Sequence, residues 1–231
     1  MTRARRTHIL CHACYWLLLA LGVTEGMAEE PAACTADATI VLDASGSMAA
    51  SDFPEGAPNR MDRVRQALSR VVPEVAPVRR LGLVVYGPGK NENSCRNIEL
   101  KFSPLRDAGS AVLDIADRLR PGGRTPLAES VQLALHSLKQ SPRPAQIVVL
   151  TDGEDTCGGD PCRLARRIKA QTPGINIHVV GFRLPSNSES TGVRCLADET
   201  GGMFVTAETT DELTYALRQT LGCAQVSSAQ R

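Results

Sequence analysis

The sequence predicts an α/β domain, doubly wound around a mostly parallel six-stranded sheet with one short antiparallel edge strand and helices on both faces. Three observations carry this. Short apolar runs alternate with stretches whose apolar residues recur at helical spacing, the rhythm of a sheet covered by helices. The runs "IVVL" (147–150) and "IHVV" (177–180) are continuous rather than alternating, which fits strands buried on both faces of a parallel sheet. The segment "GPGKNENSC" between the second and third runs leaves no room for a crossover helix, so those two strands must pair antiparallel.

In chain order, the first strand is expected over 39–43, ending on Asp43. Val64, Ala67, Leu68 and Val71 then share one face of a helix. Strands follow over 81–86 and 97–102. Val112, Ile115, Ala116 and Leu119 mark a second helix, and Leu127, Val131, Ala134 and Leu138 a third. The fourth strand covers 145–151. Asp160-Pro161 reads as an N-cap with proline at the first helical position. The last strands cover 175–181 and 203–206. Thr209 with Glu212 makes a capping box for a final helix with apolar face Leu213, Ala216, Leu217 and Leu221. No linker or repeat divides the chain, so one domain is expected over 34–223, followed by a short polar tail at 224–231.

The 231 residues suffice for one full hydrophobic core. A net charge of +1 argues against nucleic-acid binding, and 3% aromatic residues leave little for a stacking platform. Residues 1–28 have the order of a secretory signal peptide: basic Arg3, Arg5 and Arg6, an apolar stretch at 15–23, and the small-x-small exit Gly26-Met27-Ala28. That stretch is about half the ~20 residues a spanning helix needs, and no later one is longer. The expectation is an exported chain, periplasmic or secreted, monomeric and without a stable membrane anchor.

Beyond that leader remain Cys34, Cys95, Cys157, Cys162, Cys195 and Cys223. An even count in an exported chain points to disulfides, though six cysteines allow 15 pairings. A Cys34–Cys223 bond would tie the ends of the domain. Cys157 and Cys162 are near enough for a local ring, which would leave Cys95 with Cys195; other pairings among these four stay open. Zinc is disfavoured, because no CxxC pair exists and only His136 and His178 lie beyond the leader.

Ligands of open α/β sheets gather at the carboxyl ends of the strands. Three polar segments fall there or in connecting loops: "DASGS", with Asp43, Ser45 and Ser47; "PGGRTP", with Thr125; and "LTDGED", with Asp152. Three hydroxyls and two carboxylates are all oxygen donors, which suits Mg²⁺, with Ca²⁺ or Mn²⁺ next. In an extended chain Ser45 and Ser47 point the same way, and Gly46 between them allows a tight turn. Thr125 alone would read as the cap of the helix after Pro126. Arg124 could steer an acidic partner, and Glu154, Asp155 and Asp160 form an acidic rim.

These three segments, in this order, resemble the metal-ion-dependent adhesion site of the von Willebrand factor type A domain. The resemblance covers nearly the whole chain beyond the leader. The phrases "CRNIEL", "TPLAES", "TDGEDTCGGDPC" and "RCLADETGGMF" are similar to exported bacterial stand-alone members. It implies that Ser45, Ser47 and Thr125 hold the ion through hydroxyls, and that Asp43 and Asp152 act directly or through water. The ion would then accept an acidic side chain of a partner protein, with no catalysis. Two alternatives stand beside this. A haloacid-dehalogenase-like phosphohydrolase would use Asp43 as nucleophile, but Ser45 stands where that pattern needs a second aspartate as general acid. A structural domain would use no metal-bridged partner.

Overall fold

Strand β1 (Asp37–Asp43) is buried along its entire length, and the molecule is organised around it. The computed structural model describes residue 34 and residues 36–223 apart from 53, 55, 90–92, 140, 142 and 185–190; the leader at 1–28 and the tail at 224–231 lie outside the described residues. β1 pairs in parallel with β2 (Leu81–Tyr86) on one side and β4 (Ala145–Thr151) on the other. The remaining strands are β3 (Ile98–Leu105), β5 (Ile175–Phe182) and β6 (Phe204–Ala207), giving the order β3-β2-β1-β4-β5-β6. Only β3 is antiparallel, and it forms one edge. It runs three residues past the expected end, with an irregular register against Leu81 to Val84, where the Arg80 guanidinium donates to the Pro104 carbonyl (2.7 Å).

The sheet separates two cores. Ile40, Leu42, Leu83, Val85, Val148 and Leu150 face α1 (Arg60–Val75), α2 (Gly109–Arg118) and α6 (Thr210–Leu221). Val41, Val84, Ile147, Val149, Ile177 and Val179 face α3 (Leu127–Leu138), α4 (Pro161–Gln171) and α5 (Thr191–Thr200). Adjacent residues of one strand thus serve opposite faces, which is why the runs are apolar without alternation. Helix α5 had no counterpart among the expected elements. Its signal was present: Val193, Leu196 and Ala197 are fully buried at helical spacing. Among the described residues, no helix is long and apolar enough to cross a membrane.

Two caps stand as expected. Asp160 accepts the Arg163 amide (2.8 Å) with Pro161 in the first turn, and Thr209 and Glu212 close a capping box. The third does not. Pro126 occupies the N-cap of α3, and the free amide of Ala128 is met by Asp155 Oδ2 (2.9 Å), 27 residues away. Thr125 is therefore no cap.

The Cys34–Cys223 bond closes the domain as expected. Over a separation of 189 residues the chain-entropy model gives about 5 kcal/mol. The local Cys157–Cys162 ring does not form, nor does Cys95–Cys195. Cys95 joins Cys157, and Cys162 joins Cys195. The reason is geometric: Cys162 sits in the first turn of α4, against α5, whereas Cys157 belongs to the preceding loop, against the β2–β3 connection. Three disulfides among the described residues suit an oxidising, extracellular setting.

Candidate metal centre

β1 and β4 are neighbours at the point where the winding of the sheet reverses, the crevice in which such folds bind ligands. The register sets Leu42 beside Leu150, so Asp43 and Asp152 leave adjacent strands at the same end. Both carboxylates are buried, Asp152 with a side-chain exposure of 0%.

Asp43 is held at both oxygens. Oδ1 accepts the Ser45 amide (2.7 Å), and Oδ2 accepts the Thr151 hydroxyl (2.8 Å). Thr151 in turn accepts from the buried Tyr86 hydroxyl (3.0 Å). Burial and then the charge of Asp43 push the Tyr86 phenol well above its ordinary range, so it stays a donor. Asp152 is held differently. Ser47 donates to Oδ1 (2.6 Å), and the two serine hydroxyls lie 3.0 Å apart, with Ser45 donating to Ser47. Oδ2 accepts Nη1 of Arg60 (2.9 Å), the first residue of α1.

Ser45 and Ser47 converge, but not by extended alternation. Ser45 is extended, and a single 3-10 turn (Gly46–Ala49) folds Ser47 back toward it. Gly46 is required for a close approach rather than a left-handed turn: its amide donates to the Gly123 carbonyl (2.8 Å), and a Cβ there would lie 3.2 Å from the Gly122 oxygen. Gly87 has φ +82°, and a Cβ on it would meet the Ser45 backbone at 2.6 Å. The "PGGRTP" loop is thereby laid along "DASGS", with Gly122 N also donating to Ala44 O (3.2 Å).

Thr125 is buried at the end of that loop and tied to the segment after Asp152. Its amide donates to the Thr156 hydroxyl (2.9 Å), and its carbonyl accepts the Thr156 amide (3.0 Å). Arg124 is exposed beside it, with its amide on the Ser94 carbonyl (3.2 Å). Two members of the acidic rim serve the backbone. Asp155 is spent on the amides of Ala128, Cys157 and Gly159, and Asp160 caps α4. His136 is exposed, and His178 accepts the Met203 amide at 3.1 Å.

The residues named from sequence thus lie in three segments packed around one crevice. Sequence reasoning missed Tyr86, Thr151 and Arg60. The first two end buried strands, where a lone hydroxyl gives no signal. Arg60 at the first helical position opposes the helix dipole, an anomaly visible in "NRMDRV" that could have pointed to a carboxylate partner.

Two buried carboxylates so close repel each other. Burial first, and then Asp43, raise the Asp152 carboxyl to about 6, despite Ser47 and Arg60 acting the other way. A cation added among these oxygens would relieve that, and an all-oxygen set of hydroxyls and carboxylates fits a hard divalent ion. Among the described residues, no group of three or more His, Cys, Asp and Glu side chains gathers for a metal. The fit rests on hydroxyls as much as on charge.

A family model described as the von Willebrand factor type A domain matches residues 37–219. The uncharacterized protein YwmC of Bacillus subtilis is 30% identical, over 67% of this chain and 69% of its own length. A von Willebrand factor type A structure from Catenulispora acidiphila superposes with TM-score 0.63 at 20% identity, covering 81% of this chain and 42% of that one. The PilB minor pilin of Streptococcus sanguinis, as a D319A mutant, gives 0.62 at 17%, covering 84% and 62%. At these identities the likeness to solved structures concerns the fold.

Proposed function

The chain belongs to the von Willebrand factor type A family, and from that premise we propose that it is an exported, metal-dependent protein-binding module. Asp43, Ser45, Ser47, Thr125 and Asp152 would hold a divalent cation, Mg²⁺ before Ca²⁺ or Mn²⁺. The observation that carries this is the pair of buried, mutually repelling carboxylates, set among hydroxyls at the winding reversal of the sheet. When bound, the cation supplies an electrophilic point that accepts an acidic side chain of a partner protein.

The protein's own groups define how. Asp43 accepts one hydrogen bond on each oxygen, which fixes its carboxylate and leaves it a lone pair to meet the ion directly or through water. Ser47 lies between two of the other oxygen donors, 3.0 Å from Ser45 Oγ and 2.6 Å from Asp152 Oδ1. The loops carrying these groups are tied by Thr156 and by the Cys95–Cys157 bond, so little conformational freedom is lost on binding. The phosphohydrolase alternative finds no support in the family match.

Millimolar Mg²⁺ is expected to raise the melting temperature of the purified protein by several degrees, on the scale of ligand linkage. Asp43→Ala and Thr125→Ala are expected to abolish the rise. No shift with Mg²⁺, Mn²⁺ or Ca²⁺ would overturn the reading. Where the shift is present, partner capture that survives EDTA would leave the domain a module without a metal-bridged contact.

A further inference from the structure

Arg60 is placed where its helix does not favour it. A cation in the first turn of α1 runs against the helix dipole, and the turn is already capped by Asn59, which accepts the Asp62 amide (2.9 Å). The guanidinium instead reaches two carboxylates on other segments. Nη1 donates to Asp152 Oδ2 (2.9 Å), and Nε donates to Asp52. Asp52 is shared with Arg183 (3.3 Å), which also pairs with Glu208 (3.4 Å) just before α6. The Arg60 side chain is 16% exposed and that of Asp152 is not exposed at all, so this contact is little screened by solvent.

Asp52, Arg183 and Glu208 lie outside the crevice, and the two carboxylates there are part exposed, 24% and 59%, so solvent screens them. What remains at the crevice is Asp43 and Asp152 against one guanidinium, a net charge of −1. A divalent cation would leave +1, one unit for an incoming carboxylate to neutralise. Without Arg60 the same cation would be fully neutralised by the two aspartates. The ion would be held more tightly, and the attraction for a partner would be gone.

We propose that Arg60 is a positioning residue that sets the charge of the site: it takes one oxygen of Asp152, weakens cation binding, and thereby preserves the electrophilicity that recognises an acidic partner. This inference rests on the metal-binding reading above.

The test is calorimetric titration of Mg²⁺ into the wild-type chain, Arg60→Met and Arg60→Lys. Arg60→Met is expected to bind Mg²⁺ about tenfold tighter or more, since one unit of nearby like charge is removed. Arg60→Lys, which keeps the charge, is expected to stay within about twofold to threefold of wild type. A second readout needs no metal. In EDTA, Arg60→Met is expected to lower the melting temperature of the wild-type chain more than that of Asp152→Asn, in which the charge partner is gone. Equal or weaker Mg²⁺ binding by Arg60→Met, with wild type binding, would overturn the role of Arg60 and leave the metal site standing. No Mg²⁺ binding by any of the three would overturn both.

Discussion

Strand β1 carries a buried aspartate at each end, and the two are treated in opposite ways. At the amino end, Asp37 is surrounded by cations. Arg143 Nε lies 3.3 Å from Oδ1 and Arg80 Nη1 3.6 Å from Oδ2, while Ser141 donates to Oδ2 at 2.7 Å. Arg79, buried next to it, donates to the carbonyls of Ala36 and Gly222, and Arg143 to that of Cys34, around the Cys34–Cys223 bond. At the carboxyl end, Asp43 accepts a backbone amide and a hydroxyl, has no ion pair among the described residues, and repels the carboxylate of Asp152. One end fastens the two ends of the domain, at Cys34 and Cys223, with surplus positive charge. The other keeps a carboxylate surplus that only one guanidinium offsets. Buried charge of one type therefore has two meanings, and the sign of what surrounds it separates clasp from site.

The largest effect should come from breaking the clasp. Asp37→Ala leaves the buried Arg79 and the half-buried Arg80 and Arg143 without their anion, and removal of one partner of a buried pair costs about 3 kcal/mol or more. A urea titration is expected to show that loss, while the Mg²⁺-induced rise in melting temperature survives. Loss of the Mg²⁺ response in a variant that still folds would show that the two ends are not independent.

A smaller effect, of opposite sign, is expected from the site. In chelator-treated protein the Asp152 carboxyl stands at about 6, against 3.8 for the ordinary group. Between those values the folded state keeps a proton that the unfolded chain has released. Stability therefore falls as pH rises from about 4 to 6, and is level above that. The magnitude is on the order of 2–3 kcal/mol. The measurement is the urea midpoint of wild type minus that of Asp152→Asn across this range, with EDTA. A flat difference would mean that Arg60 already compensates the pair fully.

The contrast between the ends also shows what was legible beforehand. The strands, their parallel order and the antiparallel β3 followed from run length and loop length, because both faces of the sheet are buried and the β2–β3 loop is short. That Asp43, Ser45, Ser47 and Asp152 would meet was legible because β1 and β4 end at the same edge. Of the cysteine pairs, Cys34–Cys223 was legible and the other two were not, since Cys157 and Cys162 are close in sequence but separated by the start of α4. Nor was the capping of α3, which depends on Asp155 from a distant loop. Arg60 left a trace, a cation at the first position of a helix, but its partner is 92 residues away and could not be named. Sequence shows which groups reach an edge; it does not show which of them find each other.

The smallest expected effect bears on how firmly Asp43 is held. Tyr86→Phe removes the hydroxyl that donates to Thr151, in a fully buried position. Thr151 Oγ1 keeps the Gly153 amide as a donor (3.2 Å), so it is not left without one. The loss is then that of an ordinary hydrogen bond, about 1 kcal/mol. Thr151 is still free to donate to Asp43, so Mg²⁺ should stabilise Tyr86→Phe as it does wild type. If that stabilisation instead disappears while the variant remains folded by circular dichroism, the phenol is part of what fixes the Asp43 carboxylate. The site would then extend one hydrogen bond deeper into the sheet than the residues facing the crevice.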